Sequence, residues 1–310
     1  MRIPDEYLQC VCFLCVKVPG PSEHETDEFI GTGFIVSVAT RFPAMRIFCL
    51  VTAKHIIKAA TDAGHVDLYV RMNTDDGSSI TWALPDDWYY SENPAADVAV
   101  MFIPIIPGLT THSVAIEDFA TDEVIQKESI GIGDDVFAIG LFTRKSGEQR
   151  NTPIMRSGII ASMPEEPFEV EEGQHDAYLV ELRSIGGISG SPVFVNLPFW
   201  RLGPEMFEAR VSLGEMTLRW KMHLLGVIRS HWNLEREDIA EGNVAATMEN
   251  KEIEKLNTGI AVVTPIKDVL SIINGEAMME IRKKAEVEFS KRYQPTMDPI
   301  IPPTPKKRPA

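Results

Sequence analysis

Positive charge is scarce in this chain of 310 residues. Thirty Lys and Arg residues stand against 45 Asp and Glu residues, which gives a formal net charge of −15 at pH 7. An excess of negative charge repels phosphate backbones, and the body of the chain has no local basic patch that would offset it. We therefore expect no nucleic-acid partner.

Long apolar runs are also missing. No segment reaches the roughly 18 uninterrupted apolar residues that a membrane-spanning helix needs. The apolar stretch over residues 8–18 does not have the pattern of an export signal. Asp5 and Glu6 stand where a signal peptide is positively charged, and no small-residue cleavage site follows. The sequence predicts a soluble protein that is not exported, with a cytoplasmic location and no membrane partner.

Cysteine is rare. Cys10, Cys12 and Cys15 lie in one short segment and Cys49 lies in another apolar run, unlike the spread spacing of a secreted disulfide framework. A structural zinc site is the alternative, but repeated CxxC spacing and a paired HxxxH are absent. We expect buried, reduced thiols and no metal.

Short apolar runs fill the first two thirds of the chain, and clusters of Gly, Pro, Asn and Asp separate them. They read YLQCVCFLCVKV, FIGTGFIVSV, RIFCLVTA, VDLYVRM, DVAVMFI, DDVFAIG and AYLVELR. Many short strands with little helical periodicity between them favour an all-β sandwich or barrel over a βαβ fold. The hydrophobic content of 44% is ample for a core.

The last third is mixed. KMHLLGVIRSHW and TGIAVVTP predict strands on either side of a polar stretch over residues 233–256, for which we expect a loop with a short helix. Pro265 precedes apolar residues at helical spacing, which predicts a helix after the last strand. Residues 276–310 predict a charged helix and a flexible, basic, Pro-rich tail. The alternative for its PxxP element at Pro299 to Pro302 is a docking peptide for a polyproline-binding groove.

Two motifs contain candidate acid–base groups. In CLVTAKHII, His55 follows an apolar strand, and an imidazole with an ordinary pKa near 6.5 is suited to exchange a proton near neutrality. In NPAADVAVMFIP, Asp97 opens a hydrophobic strand, where a buried carboxylate needs a donor such as a histidine Nδ1–H. A structural histidine and a turn aspartate are the simpler interpretations of each motif alone.

A third motif, RSIGGISGSPVFV, contains a candidate nucleophile. Ser189 lies between Gly186, Gly187 and Gly190, immediately before a strand. Glycines allow the backbone to approach a substrate carbonyl closely, and the N–H groups of Gly187 and Ser189 are then placed to bind a developing oxyanion. A plain Gly/Ser turn is the alternative.

In the order His, Asp, Ser, these motifs resemble those of the trypsin-like (chymotrypsin-fold) serine peptidases, with TAxHC at the base, D-I/V-A-L at the acid and G-D/N-S-G-G/S-P at the nucleophile. The segments TAKHII, DVAVMF and GISGSPVF place His55, Asp97 and Ser189 in these roles, and Ser191 replaces the second glycine of the nucleophile motif. The resemblance covers residues 7–275 and is greatest to bacterial Deg/HtrA-type catalytic domains without a PDZ domain.

This resemblance implies an all-β fold of two six-stranded antiparallel β-barrels with a C-terminal helix. The peptidase domain would span residues 1–275, with barrels at roughly 1–120 and 121–275, followed by the helix and tail of 276–310. It also implies a triad mechanism with an acyl-enzyme and no cofactor. Two departures are informative: Ile188 replaces the aspartate of zymogen activation, and Ile56 replaces a cysteine.

The resemblance also implies specificity residues. Counting back from Ser189 places Arg183 at the base of the primary specificity pocket, where it would favour an acidic substrate side chain. Arg229, Ser230 and His231 end the strand that would pair with the substrate backbone. A solvent-facing or locally paired Arg183 is the alternative.

We therefore expect a serine endopeptidase that acts on a protein or peptide, with a restricted target or an activating partner. The alternative is a catalytically silent binding module on the same fold. An α/β-hydrolase is excluded because it needs GxSxG and the order Ser, Asp, His.

Overall fold

The computed structural model describes residues 3–20, 24–104, 106–170, 172–182, 187–198, 201, 221–233 and 257–292. Residues 234–256 of the polar stretch and the Pro-rich tail from residue 293 onward lie outside the described residues. Within the described ranges, no helix has the length and apolar character needed to cross a membrane.

The N-terminal half is one mixed sheet of eight strands. Its strands are β1 (Val11–Pro19), β2 (Glu25–Ala39), β3 (Arg46–Thr52), β4 (Tyr69–Asn73), β5 (Ser79–Ala83), β6 (Tyr89–Tyr90), β7 (Ala99–Phe102) and β8 (Val114–Ala115). The antiparallel order is β5-β4-β1-β2-β3-β7-β6, and β8 pairs in parallel with β2. Among the described residues β5 and β6 do not pair, so the closed barrel that we predicted for this half is not shown.

The C-terminal half contains a closed barrel of six strands in the order β10-β13-β16-β15-β14-β9. The strands of this half are β9 (Asp135–Gly140), β10 (Ile154–Ser162), β11 (Phe168–Val170), β12 (Gly173–His175), β13 (Tyr178–Glu181), β14 (Pro192–Leu197), β15 (Lys221–Asn233) and β16 (Asn257–Pro265). The hairpin β11–β12 stands apart from the barrel. The predominantly β fold and one of the two predicted barrels are thus confirmed.

A shared core joins the two halves. One cluster of buried side chains contains Phe34 and Val51 from the first sheet and Phe137 and Phe194 from the barrel. The rings of Phe137 and Phe194 stack with centroids 5.1 Å apart, and Tyr7 meets Phe194 edge-on at 5.0 Å. Tyr7 lies in a short helix, α1 (Asp5–Leu8), and not in the strand predicted for it. Groups from both halves are therefore held in one packed unit.

A helix that the sequence analysis did not predict follows β3. It is α2 (Lys54–Asp62), and it buries Ile56, Ile57 and Ala60 on one face. Because these three residues recur at helical spacing, their burial fixes the rotation of the helix about its axis. His55 therefore follows a strand, as predicted, and lies in the first turn of a helix.

Three more α-helices and two short 3₁₀-helices, Ile116–Asp118 and Thr143–Lys145, lie in the described residues. The three α-helices are α3 (Asp122–Glu128), α4 (Ile266–Ile273) and α5 (Glu276–Arg292). The helix predicted after the last strand is confirmed as α4, whose apolar face packs into the shared core. Of the residues in α5, only Met278 is fully buried, as suits a highly charged helix.

All four cysteines are free and buried, as expected. Burial raises the pKa of Cys10, Cys15 and Cys49 to about 12 and raises that of Cys12 as well. Because the thiolate is the reactive and metal-binding form, these side chains act as small apolar core residues.

Candidate active site

The structure brings His55 and Asp97 together. The backbone N–H of His55 donates to Oδ1 of Asp97 at 2.8 Å, and Nδ1 of His55 lies 2.6 Å from Oδ2 of the same carboxylate. The first N–H groups of a helix have no acceptor within the helix, so a carboxylate at this position satisfies one of them. Asp97 thus fixes both the start of α2 and the orientation of the imidazole.

Asp97 lies two residues before β7 and is almost completely buried. Burial raises the pKa of its carboxyl, but the hydrogen bonds from His55 and the positive charge of Arg229 lower it further, and the net shift of the pKa is downward. A carboxylate in this environment stays ionised at neutral pH, which is the state that can hold a histidine Nδ1–H.

The direction of that shift predicts how stability depends on pH. Because the pKa of Asp97 is lower in the folded than in the unfolded state, its contribution is fully present above the unfolded pKa of about 3.9 and is lost as pH falls through the folded pKa. We expect Asp97→Asn to destabilise the protein by a constant amount from about pH 7 to 5 and by progressively less below about pH 4. Urea unfolding at each pH measures this, and a difference that persists unchanged to pH 2.5 would contradict it.

The loop that carries Ser189 is built on left-handed glycines. Gly187 has φ of +95° and Gly190 has φ of +79°, a region that side chains with a Cβ disfavour. Gly190 donates its N–H to the carbonyl of Ile228 on β15 at 2.9 Å. The loop is therefore tied to the barrel directly after Ser189.

Thr32 on β2 holds the same loop from the other half of the protein. Its N–H donates to the carbonyl of Ser189 at 3.0 Å, and its hydroxyl donates to the carbonyl of Gly187 at 2.9 Å. The hydroxyl also accepts the N–H of Leu141 at 2.9 Å, and its carbonyl accepts the hydroxyl of Thr52 at 2.8 Å. One fully buried threonine therefore links the loop to both halves of the chain.

Ser189 is partly accessible, whereas Ser191 is fully buried. Of these two hydroxyls, only that of Ser189 is open to the solvent. Within the described part of the chain, no hydrogen bond uses the N–H of Gly187 or of Ser189. Ile188, which stands where zymogens carry an aspartate, is buried in the barrel core.

His55, Asp97 and Ser189 line one open cavity of about 460 Å³. Its other lining residues are Lys54, Lys58, Pro94, Ala95, Glu172, Arg229 and Ser230. No hydrogen bond joins Ser189 to His55 among the residues that the structure describes. Catalytic hydrogen bonds often form fully only when substrate is bound, so two side chains that line one cavity remain candidates for a serine–histidine pair.

The predicted specificity residues have different outcomes. Ser230 is exposed at the cavity, and Arg229 is half-buried there. Nη1 of Arg229 donates to the carbonyl of Ala95 at 2.8 Å, so this guanidinium already has a partner in the loop before Asp97. Arg183 and the side chain of His231 lie outside the described residues.

Sequence reasoning missed Thr32, Lys54, Lys58 and Glu172. Thr32 lies inside the GTG segment that we used only as a strand marker. The two lysines follow the TA of the histidine motif at positions four apart, a helical spacing that becomes a signal only once α2 is recognised. No signal in the sequence places Glu172 at the cavity, because it lies in the turn of a separate hairpin.

A family model described as the trypsin-like peptidase domain matches residues 31–197, which is more than half of the chain. No protein with a curated description matches significantly. The chain is similar to the solved structure of Deg5, with 15% identity, a TM-score of 0.44, and coverage of 86% of this chain and 88% of that one.

The chain is also similar to two further solved structures. The MamO protease domain from Magnetospirillum magneticum in its apo form is 13% identical, with a TM-score of 0.47 and coverage of 86% of this chain and 96% of that one. Rv3671c from M. tuberculosis, as a serine-to-alanine mutant in an inactive form, is 14% identical, with a TM-score of 0.41 and coverage of 86% and 87%.

Proposed function

The chain belongs to the trypsin-like peptidase family, and from this premise we propose that it is a serine endopeptidase that cleaves its target through an acyl-enzyme. The observation that carries the proposal is the carboxylate of Asp97, which binds both the N–H and Nδ1 of His55 in a cavity that Ser189 also lines. A base held in one tautomer beside an accessible hydroxyl is the arrangement that nucleophilic catalysis requires.

With Nδ1 of His55 bound to Asp97, Nε2 is the nitrogen left to accept the hydroxyl proton of Ser189. Oγ then forms a bond to the peptide carbonyl carbon, and the carbonyl π electrons move onto its oxygen. Collapse of this intermediate breaks the C–N bond, and the imidazolium returns the proton to the leaving amine. Water, deprotonated by the same imidazole, releases the acyl group from Ser189 by the reverse sequence.

The amides of Gly187 and Ser189 are the proposed donors to the oxyanion. Two observations support them: the left-handed φ of Gly187, and the absence among described residues of any other acceptor for either N–H. Donors already positioned at the developing charge cost no reorganisation during the reaction. Thr32 is the residue that positions this loop, because it binds the carbonyls on both sides of Ile188.

A fluorophosphonate probe tests the proposal without knowledge of the substrate. We expect the probe to form one adduct, located by mass spectrometry on Ser189, and we expect Ser189→Ala and His55→Ala to abolish it. Ser191→Ala is the matched control, since that hydroxyl is buried two residues away, and it should be labelled normally. A folded protein that takes up no probe would instead support a silent binding module.

Our proposal includes a restricted target or an activating partner. Rapid, unselective hydrolysis of casein by the purified protein would contradict this part of the proposal.

A further inference from the structure

Positive side chains gather at the catalytic cavity of a chain whose net charge is −15. Lys54, Lys58 and Arg229 all line it. We propose that the cavity recognises acidic peptides, and that the ammonium groups of Lys58 and Lys54 contact carboxylate side chains flanking the scissile bond. This inference rests on the proposed function and names the substrate class of the same site.

The helix α2 directs both lysines into the cavity. Lys54 and Lys58 are four residues apart and therefore share one face of the helix, and His55 lies three residues before Lys58 on nearly the same face. The opposite face is fixed by the burial of Ile56, and the first turn is fixed by the bond from His55 to Asp97. The backbone positions of both lysines are thus fixed beside His55, and both side chains line the cavity.

Both ammonium groups have unused capacity. Within the described residues, Lys58 has no carboxylate partner and its side chain is exposed. Lys54 donates to the carbonyl of Pro94, which uses one of the three donors of an ammonium group. Three other lysines among the described residues do have acid partners: Lys17 pairs with Asp27, Lys267 with Asp176 and Lys284 with Glu280. An incoming carboxylate therefore meets charge that the protein has left unneutralised.

Glu172 is the one carboxylate besides Asp97 among the residues that line the cavity. One of its oxygens lies 3.9 Å from Nη2 of Arg229, which is too long for a hydrogen bond, and its side chain is 40% exposed. Glu172 therefore offsets the charge of Arg229 and competes with an acidic ligand. The proposal therefore predicts opposite effects of two substitutions on the preference for acidic peptides. Removing the charge of Lys58 weakens this preference, and removing the charge of Glu172 strengthens it.

Matched peptides that differ only as Asp against Asn, or Glu against Gln, at each position around the cleavage site test the proposal. Their dissociation constants are measured by fluorescence anisotropy with Ser189→Ala protein, so that binding is read without turnover. We expect acidic peptides to bind more tightly and the preference to fall with added salt. We expect Lys58→Gln to reduce the acid-to-amide ratio about two- to fivefold, the range for one partly exposed ion pair. Glu172→Gln should raise that ratio.

Lys283→Gln is the control, because it makes the same change of net charge on exposed α5, away from the cavity. It should leave the acid-to-amide ratio unchanged. An effect equal to that of Lys58→Gln would show that only the net charge of the protein matters, and it would overturn the proposal that the cavity recognises acidic peptides. A ratio near one in the parent protein would also overturn it. The fluorophosphonate probe separates the two proposals: labelled Ser189 without acid preference defeats this inference alone, whereas acid preference without labelling defeats only the proposed function.

Discussion

Asp97→Asn is expected to slow fluorophosphonate labelling of Ser189 by a factor on the order of 10³ to 10⁴. The carboxylate accepts the N–H of His55 at 2.8 Å and faces Nδ1 at 2.6 Å, so it holds the ring with its proton on Nδ1. An asparagine of the same shape can direct its amide N–H at Nδ1, which moves the ring proton to Nε2. The nitrogen that should accept the serine proton is then already protonated. The pseudo-first-order labelling rate measures the loss.

A second carboxylate–histidine pair provides the matched control. Oδ2 of Asp268 on α4 lies 3.1 Å from Nε2 of the buried His175 on β12, outside the set of residues that line the cavity. Asp268→Asn perturbs that pair in the same chemical way, so it tests for a general cost of removing a carboxylate from a histidine. We expect labelling within about threefold of the parent, since only stability should change. Equal rates for Asp97→Asn and the parent would show that Asp97 does not orient the base.

The His55–Asp97 contact was predictable because each of the two residues is a polar residue at the end of a short apolar strand segment. The residues before His55 must end a strand, and Asp97 must enter one, so apolar residues flank a single polar group at each site. The β character of the second half was predictable for a related reason, since several of its strands are apolar runs, and all six residues of β14 are buried. That these strands close into a barrel was implied by the family resemblance. Local pattern and tertiary role agree at these positions.

The features that the sequence analysis missed depend on contacts between residues far apart in the chain, which leave no local sequence pattern. Thr32 meets Gly187 across 155 positions of sequence, and a threonine inside a strand has the same local signature whether or not it binds a distant loop. The nine residues of α2 are too few for a clear helical period, and their stability comes from packing and from Asp97 rather than from propensity. Closure of the first sheet was predicted from the family and not from the strands, and among the described residues its two end strands, β5 and β6, do not pair.

Gly190→Ala is expected to destabilise the protein by about 3 kcal/mol or more, the sum of a left-handed alanine and of overpacking. The residue has φ of +79°, and a Cβ there would overlap the carbonyl oxygen of Thr32 and lie 2.5 Å from Oγ1 of Thr52. Both atoms belong to the hydrogen-bond network that holds the loop of Ser189, so neither can move without breaking a hydrogen bond. Urea unfolding monitored by tryptophan fluorescence measures the change in the free energy of unfolding.

Gly77→Ala separates the steric clash from the backbone strain. Gly77 has nearly the same dihedral angle, φ of +86°, but no atom lies within 4 Å of the position that its Cβ would take. We expect this control to cost only the strain of about 1 to 2 kcal/mol and to leave labelling of Ser189 unchanged. For Gly190→Ala, labelling at low urea should fall at least about 100-fold, because the proposed oxyanion donors and Ser189 share the displaced loop. If both substitutions reduced the free energy of unfolding equally, the loop could move away from Thr32 without loss. Thr32 would then not position Ser189.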